Sequence, residues 1–368
     1  MTILQSKPKP ERKPTPRRGF TLVEMMIVIM IIGILMAIAV PAVNRAMTTG
    51  RQTAIKLEIN ALSTAVERYM QKYGDYPPDG SSKDILERHM RRVFPRMTTP
   101  DTVLLEKLVS PGGTFSYVAM DRAEALVFFL GGFSEDPLHP LTGEGGPLAL
   151  APGVASPSTD LEDYQYNATR DNSFFDFDLS RLTTIRAGDT EPLLSSDEEV
   201  WSGNASEYAL AGGADLLPVY LTRAGEYTPY IYFDSRTYGL VGPGSYNGFR
   251  SPATGGLRPY KSELNIEAPR DGNAYADATE AFKAVPFHNP STFQIISPGL
   301  DGNFGTMINH PDGSGLPVHF LTETGRAAVP KTNIFELEIS RFQDGGAVLG
   351  HLDNITNFSE STLENGLQ

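Results

Sequence analysis

The chain has 368 residues with 35 Gly, 28 Pro and no cysteine, which excludes a disulfide framework and thiolate chemistry and points to many short elements. Its net charge of −13 is unevenly held: residues 1–18 carry six bases (Lys7, Lys9, Arg12, Lys13, Arg17, Arg18) and one acid (Glu11), a local +5 that leaves −18 for the remainder. An acidic body is a poor electrostatic match for nucleic acid, which argues against a nucleic-acid partner.

After the basic head comes an apolar run, Phe20 to Val43, in which Thr21 and Glu24 are the only clearly polar side chains. As a helix it would span about 36 Å at about 1.5 Å per residue, enough to cross a bilayer. Basic flank first and acidic bulk after is the positive-inside pattern, with the N-terminus cytoplasmic and the bulk carried across. Three readings compete: a plain anchor, a cleaved signal at Ala37-Ile38-Ala39, and a twin-arginine signal at Arg17-Arg18-Gly19-Phe20. None accounts for Glu24, since a carboxylate inside an apolar segment costs about 2.5–3.5 kcal/mol at the centre and marks a partner.

Gly19-Phe20-Thr21-Leu22-Val23-Glu24, followed by Gly33 and Pro41, resembles the processing site of type IV pilins and type II secretion pseudopilins. The resemblance implies that a prepilin peptidase cuts between Gly19 and Phe20. It also implies N-methylation of the new Phe20 amine, and an assembly role for Glu24 against the amine of a neighbouring subunit. A fold follows from it: α+β, with one long helix (membrane half 20–43, amphipathic half 44–73) packed on an antiparallel sheet. The basic leader would be 1–19, the enlarged globular region 74–286, and the C-terminal part 287–368. The implied partners are like or related pilin subunits and an inner-membrane assembly platform.

Past Val43 the helical period continues. Ile55, Ile59, Leu62, Val66, Tyr69 and Tyr73 are spaced 4, 3, 4, 3, 4 and form one stripe, with Lys56, Glu58, Asn60, Ser63, Glu67, Arg68 and Lys72 off it. Pro41 is expected to kink or locally melt the helix. Gly74 and Pro77-Pro78 end it, and this YGDYPP stop is similar to that of the major pseudopilins.

In the middle region, Arg88-His89-Met90-Arg91-Arg92 reads as a solvated helix face with Asp84 and Glu87 rather than a nucleic-acid patch. Asp121 to Gly132 reads as a capped, short buried helix with a glycine stop. Residues 137–202 are expected to be surface loops, and Tyr227 to Tyr238 one or two strands. Strands are also expected at Phe293 to Ile296, Val318 to Leu321 and Ile334 to Ile339.

Two C-terminal stretches, Ser297 to Gly305 and Asp353 to Phe358, resemble the calcium-binding loops of major pseudopilins. That resemblance implies one calcium ion on the Asp301 and Asp353 carboxylates with main-chain carbonyls such as Leu300 and Asn303. Oxygen donors on glycine-punctuated loops suit calcium. Asn354 stands where the family has an acid, and Asp-Gly loops are also ordinary turns. An EF-hand is excluded from Asp301, because Thr306 occupies the glycine position, and Asp271 fails likewise at Ala276.

The six histidines (His89, His139, His288, His310, His319, His351) show no His-x-x-x-His spacing and are expected mostly on the surface or in loops. There is no Gly-x-Ser-x-Gly elbow or phosphate-binding glycine loop, and Glu198-Glu199 reads as a solvated turn. The resulting expectation is a non-enzymatic type II secretion pseudopilin in a filament raised from the inner membrane. The open alternatives are a type IV pilus subunit and an exported enzyme or binding protein on an uncleaved anchor.

Overall fold

The computed structural model describes residues 20–109, 120, 122–183, 216–223, 228–239, 257–264, 266–268, 275–276, 280, 283–305, 319–328 and 351–366. The leader with Gly19, the Asp121 cap, the Ile334 to Ile339 strand, Glu198-Glu199, His310 and the Asp271 loop lie outside them. The chain divides into two units, Met1–Gly50 and Arg51–Gln368.

Helix α1 runs unbroken from Leu22 to Tyr73, 52 residues, with Pro41 inside it. The expected local melting at Pro41 does not occur. Proline removes one N–H, but the helix continues on both sides of it. Among the described residues of the first unit, all of 20–50 are exposed.

In the second unit the same helix becomes one-sided. Ile59, Leu62, Ala65, Val66 and Tyr69 are buried, with Ile55 and Tyr73 half-buried at the ends of the stripe. Burying each of the larger side chains contributes about 1.5–3 kcal/mol. Gly74 stops the helix at φ +73°, a left-handed conformation open to glycine, and its N–H donates to the Met70 carbonyl at 2.7 Å.

Against this stripe pack α2 (Lys83–Val93) through Leu86 and Met90, α3 (Asp101–Val109) through Leu104, Leu105, Leu108 and Val109, and α4 (Glu124–Leu130). All seven residues of α4 are buried, so it is the buried helix the sequence indicates. Its N-cap is Ala123 with no side-chain cap, and its C-terminus is closed by Arg170, whose guanidinium donates to the Val127, Phe128 and Gly132 carbonyls. A cation on those carbonyls also complements the negative helix end.

Residues 137–183 are not surface loops alone. β1 (Leu148–Leu150) and β2 (Tyr164–Tyr166) pair antiparallel, and Leu141, Leu148, Leu161, Tyr164 and Phe177 enter the core. A high Pro and Gly content hides this, because single apolar anchors between turns leave no period to detect. β3 (Leu182–Thr183) pairs with β4 (Val219–Tyr220).

β5 (Ile231–Asp234), β6 (Phe293–Ser297) and β9 (Ile355–Thr356) make an antiparallel sheet with β6 in the middle. Tyr232 and Ile295 face each other in register on the core shared with α1, while Ile231 and Ile296 face a second core with Phe320, Leu257 and Tyr260. A sheet covered on both faces explains why β5 and β6 read as near-continuous apolar runs. Gln294, inside the sheet, is fully satisfied: Tyr260 N–H donates to its Oε1, and its Nε2 donates to the Tyr260 and His288 carbonyls. β7 (His319–Leu321) and β8 (Arg326–Ala328) form a separate hairpin.

Polar residues off the α1 stripe tie the helix to the rest. Glu58 accepts from Arg181 Nη1 and Nη2 at 2.6 Å each, from Tyr220 Oη at 2.8 Å and from Tyr230 Oη at 2.5 Å. Lys56 Nζ donates to the Thr356 carbonyl at 2.8 Å, and Tyr76 Oη donates to Glu67 at 3.1 Å. Glu58 and Arg181 are 19% and 16% exposed, so solvent screens them little. Glu58→Ala therefore leaves two phenols without their acceptor and the Arg181 guanidinium, held otherwise by the Leu221 and Thr222 carbonyls, without its counter-charge. It should destabilise the fold by about 3 kcal/mol, read as a lowered Tm and denaturation midpoint. Glu58→Gln should cost less.

Candidate functional site

At the start of α1, Thr21 and Glu24 form a reciprocal cap. The Glu24 N–H donates to Thr21 Oγ1 at 3.2 Å, while the Thr21 N–H and hydroxyl donate to Glu24 Oε2 at 2.7 and 2.9 Å. Leu22 is the first helical residue, so Thr21 is the N-cap and Glu24 the third position of the helix. This Thr-x-x-Glu box is a second reason for an acid here, beside the partner that the sequence suggested. Phe20, next to it, is 81% exposed. Downstream, Leu22 through Val43 present large apolar side chains at 45–76% exposure, an apolar surface long enough to cross a membrane.

The two C-terminal loops, far apart in sequence, come together. Asp353 Oδ2 accepts the N–H groups of Leu300 and Asp301, the latter at 3.1 Å. Asp301 Oδ1 accepts the Asn303 N–H at 2.8 Å, and Asn303 Oδ1 accepts the Gly305 N–H at 3.0 Å. Two glycines allow this approach. Gly299 has φ +69°, and a Cβ there would lie 2.1 Å from the Asp353 carbonyl oxygen; Gly305 has φ +83°, and its Cβ would meet the His351 ring at 2.2 Å.

Burial pushes the Asp301 carboxyl up, and the nearby charge of Asp353 adds to the push. Adjacent carboxylates on oxygen-rich loops are a donor set that fits a hard cation. Among the described residues no group of three or more His, Asp or Glu surrounds a metal position, so other ligands there would be carbonyls such as Leu300 and Asn303. Asn354 is a strut: its Nδ2 donates to Tyr260 Oη at 2.7 Å and to the Phe304 carbonyl at 3.0 Å.

Two of the histidines are buried, against the general expectation of surface or loop positions. His351 sits in the second core, its Nδ1 3.0 Å from Tyr260 Oη. His89, on the inner side of α2, bridges Tyr69 Oη at 2.7 Å and Asp75 Oδ2 at 3.2 Å. Burial lowers the His89 pKa to about 4 despite Asp75. The Asp75-His89-Tyr69 series resembles a proton relay, but Tyr69 is 0% exposed and no reactant reaches it. The arginines around His89 do lie outward, and Arg91 pairs with Glu87 at 3.3 Å. The described clefts, about 240 Å³ between α2 and α3 and about 140 Å³ beside Arg170, are lined by neither histidine nor lysine.

Residues 15–40 match the prokaryotic N-terminal methylation motif. The chain is 39% identical over 77 residues to the fimbrial protein EcpB of Eikenella corrodens, covering 21% of this chain and 48% of that protein. It is 37% identical over 71 residues to the type IV major pilin PilE of Neisseria gonorrhoeae, covering 19% and 42%. The match to the type II secretion system core protein G of Pseudomonas aeruginosa is 31% over 103 residues, 27% of this chain and 72% of that protein. The chain thus spans less than half the length of the two fimbrial relatives. No solved structure matches it. With the long helix, the antiparallel sheet and the methylation motif together, the class is a pilin-like α+β protein. The chain belongs to the type IV pilin and type II secretion pseudopilin family.

A histidine held neutral by burial costs stability when it must charge. The unfolded chain takes up its proton near pH 6.5 and the folded chain near 4, so stability falls as pH drops from about 6.5 to about 4. Asp234, pushed up to about 6 by burial and the Asp79 charge despite Arg236, has the opposite sign in part of that window. His89→Gln should therefore lower Tm at pH 7 yet flatten its decline below 6.5 relative to the parent. Thermal melts of both proteins across pH 4–7 check this.

Proposed function

We propose that the chain is a structural subunit of a type II secretion pseudopilus. It is anchored in the inner membrane by residues 20–43, with its acidic body on the periplasmic side. A prepilin peptidase cuts between Gly19 and Phe20, Phe20 is methylated, and subunits enter a short filament with like or related subunits. The function is mechanical and needs no catalytic group.

One observation carries the reading: an exposed apolar helix half bears a single carboxylate, Glu24, inside the matched methylation motif. In a sheath of packed apolar helices either Glu24 or the Phe20 amine of a neighbour alone is costly, and together they offset much of that cost. The secretion assignment is supported by the match over 72% of protein G and by the YGDYPP helix stop. The fimbrial relatives favour a pilus as the second reading.

The test separates charge from capping. Glu24→Gln keeps a cap-forming side chain and removes the charge. Native membranes should yield a chain starting at N-methylated Phe20, and both Glu24→Ala and Glu24→Gln should leave the Tm of the body unchanged. Incorporation into cross-linked filaments should drop at least about tenfold in both, the scale set by an uncompensated charge. Normal assembly of Glu24→Gln would overturn the pairing, and an unprocessed Met1 start would overturn the filament reading.

Calcium belongs to the same proposal, held between the Asp301 and Asp353 carboxylates with the Leu300 and Asn303 carbonyls. Asp301→Asn should abolish a calcium-dependent rise in Tm, measured by melts in calcium and in chelator. No such rise in the parent protein would rule the site out.

A further inference from the structure

Among residues 20–50 two side chains are charged, Glu24 and Arg45. They stand 21 positions apart on α1, which runs unbroken between them. At about 1.5 Å per residue this is about 32 Å along the axis, or about 30 Å across a bilayer at a tilt of about 20°. The hydrocarbon core is about 30 Å thick. The two charges therefore bracket one bilayer. With Glu24 at one boundary, Arg45 falls at the other, two positions past Val43, where the apolar run ends.

Arg45 needs a reason as much as Glu24 does, because a base on the far flank of a spanning helix runs against the positive-inside bias. It is exposed, and the nearest acids along the helix, Glu24 and Glu58, are 21 and 13 residues away. A helical ion pair reaches three or four residues, so neither acid can serve it. Among the described residues no ion pair or hydrogen bond engages its guanidinium. The adjacent polar groups are turned inward: the Thr48 hydroxyl donates to the Asn44 carbonyl at 3.0 Å. A cut after Gly19 also removes the six bases of the leader, which leaves Arg45 as the base closest to the apolar run.

We propose that Arg45 binds lipid phosphate groups of the periplasmic leaflet and so fixes the depth of the helix in the membrane. The inference rests on the anchor reading of residues 20–43. A planar guanidinium matches a phosphate bidentately, while its stem lies along the acyl boundary. With Arg45 held there, Glu24 stays at the cytoplasmic boundary instead of sinking into hydrocarbon. The bond between Gly19 and Phe20 lies in water on that side, since Phe20 is 25 residues from the stop. Arg45 touches neither group and is a positioning residue for both.

The chain has no cysteine, so single cysteines report depth in the full protein, reconstituted in vesicles of phosphatidylethanolamine and phosphatidylglycerol. Ile32→Cys marks the middle of the apolar run and Met47→Cys the position just outside it. Each is read by its rate of labelling with a charged maleimide present on both faces. Met47→Cys should label fast and Ile32→Cys slowly. Adding Arg45→Leu should slow Met47→Cys about fivefold, the scale of one contact between a base and the headgroups, whereas Arg45→Lys should keep it fast. In the same vesicles, solid-state NMR with 13C-labelled arginine should show dephasing of guanidinium carbon by lipid phosphorus, reduced in Arg45→Gln. Labelling of Met47→Cys that ignores residue 45 overturns the depth stop and, if Ile32→Cys stays slow, leaves the anchor standing. Slowed labelling without loss of dephasing overturns the phosphate contact. If Ile32→Cys labels as fast as Met47→Cys, the anchor reading fails and this inference falls with it.

Discussion

Burial of one face of α1, from Ile59 to Tyr69, is the constraint on which the globular body depends. Three further helices and the inner face of the β5-β6-β9 sheet share their apolar contacts with that face. Removing the stripe would strip α4, buried on all sides, of one of the faces it packs against, where Tyr69 meets Phe129. The polar side of the helix is not idle. Glu58 gathers Arg181, Tyr220 and Tyr230, which come from segments more than a hundred residues away. The helix thus supplies both the apolar floor and the charged point at which distant strands are held. Net contributions of such buried ion pairs are small, but a lone member is expensive, so the network enforces the arrangement more than it stabilises it.

The same helix serves two environments. Its first half is apolar on every side and exposed among the described residues; its second half is apolar on one side only. Glu24 Oε2 and the Glu24 N–H both bond to Thr21, at a helix end where unpaired N–H groups need an acceptor. A cap needs an acceptor but not a charge, so the box accounts for a polar residue at this position and not for the charge of the carboxylate.

Away from the helix, short elements are positioned by single well-placed groups rather than by long ladders. Arg236 is one: it donates to Asp234 at 2.7 Å, to Asp75 at 2.9 Å and to the Tyr76 carbonyl at 2.8 Å, fastening β5 to the chain that leaves α1. Asp79 is another, 1% exposed, accepting from Thr237 Oγ1 at 2.6 Å and ion-paired with Arg122 at 3.2 Å. The C-terminal loops follow the same logic, with Asp353 reaching two amides and two glycines allowing the approach. Strands of two to five residues are too short to define a fold by pairing alone, so these polar anchors set where they lie.

What the sequence by itself determined was everything carried by local period and local chemistry. The stripe from Ile55 to Tyr73, the stop at Gly74, β5, β6 and the buried α4 all announce themselves within about a dozen residues or a few turns, because side-chain spacing along one element is a local property. Tertiary structure alone decided the rest. His89 and His351 have no local sign of burial, and Glu58 looks like any solvated helix residue until Arg181, Tyr220 and Tyr230 arrive. The anchors among residues 137–183 are isolated between turns, so only the completed core reveals that they are inside. Partners separated by tens to hundreds of residues leave no pattern in one sequence, since what joins them is the fold that they help to make.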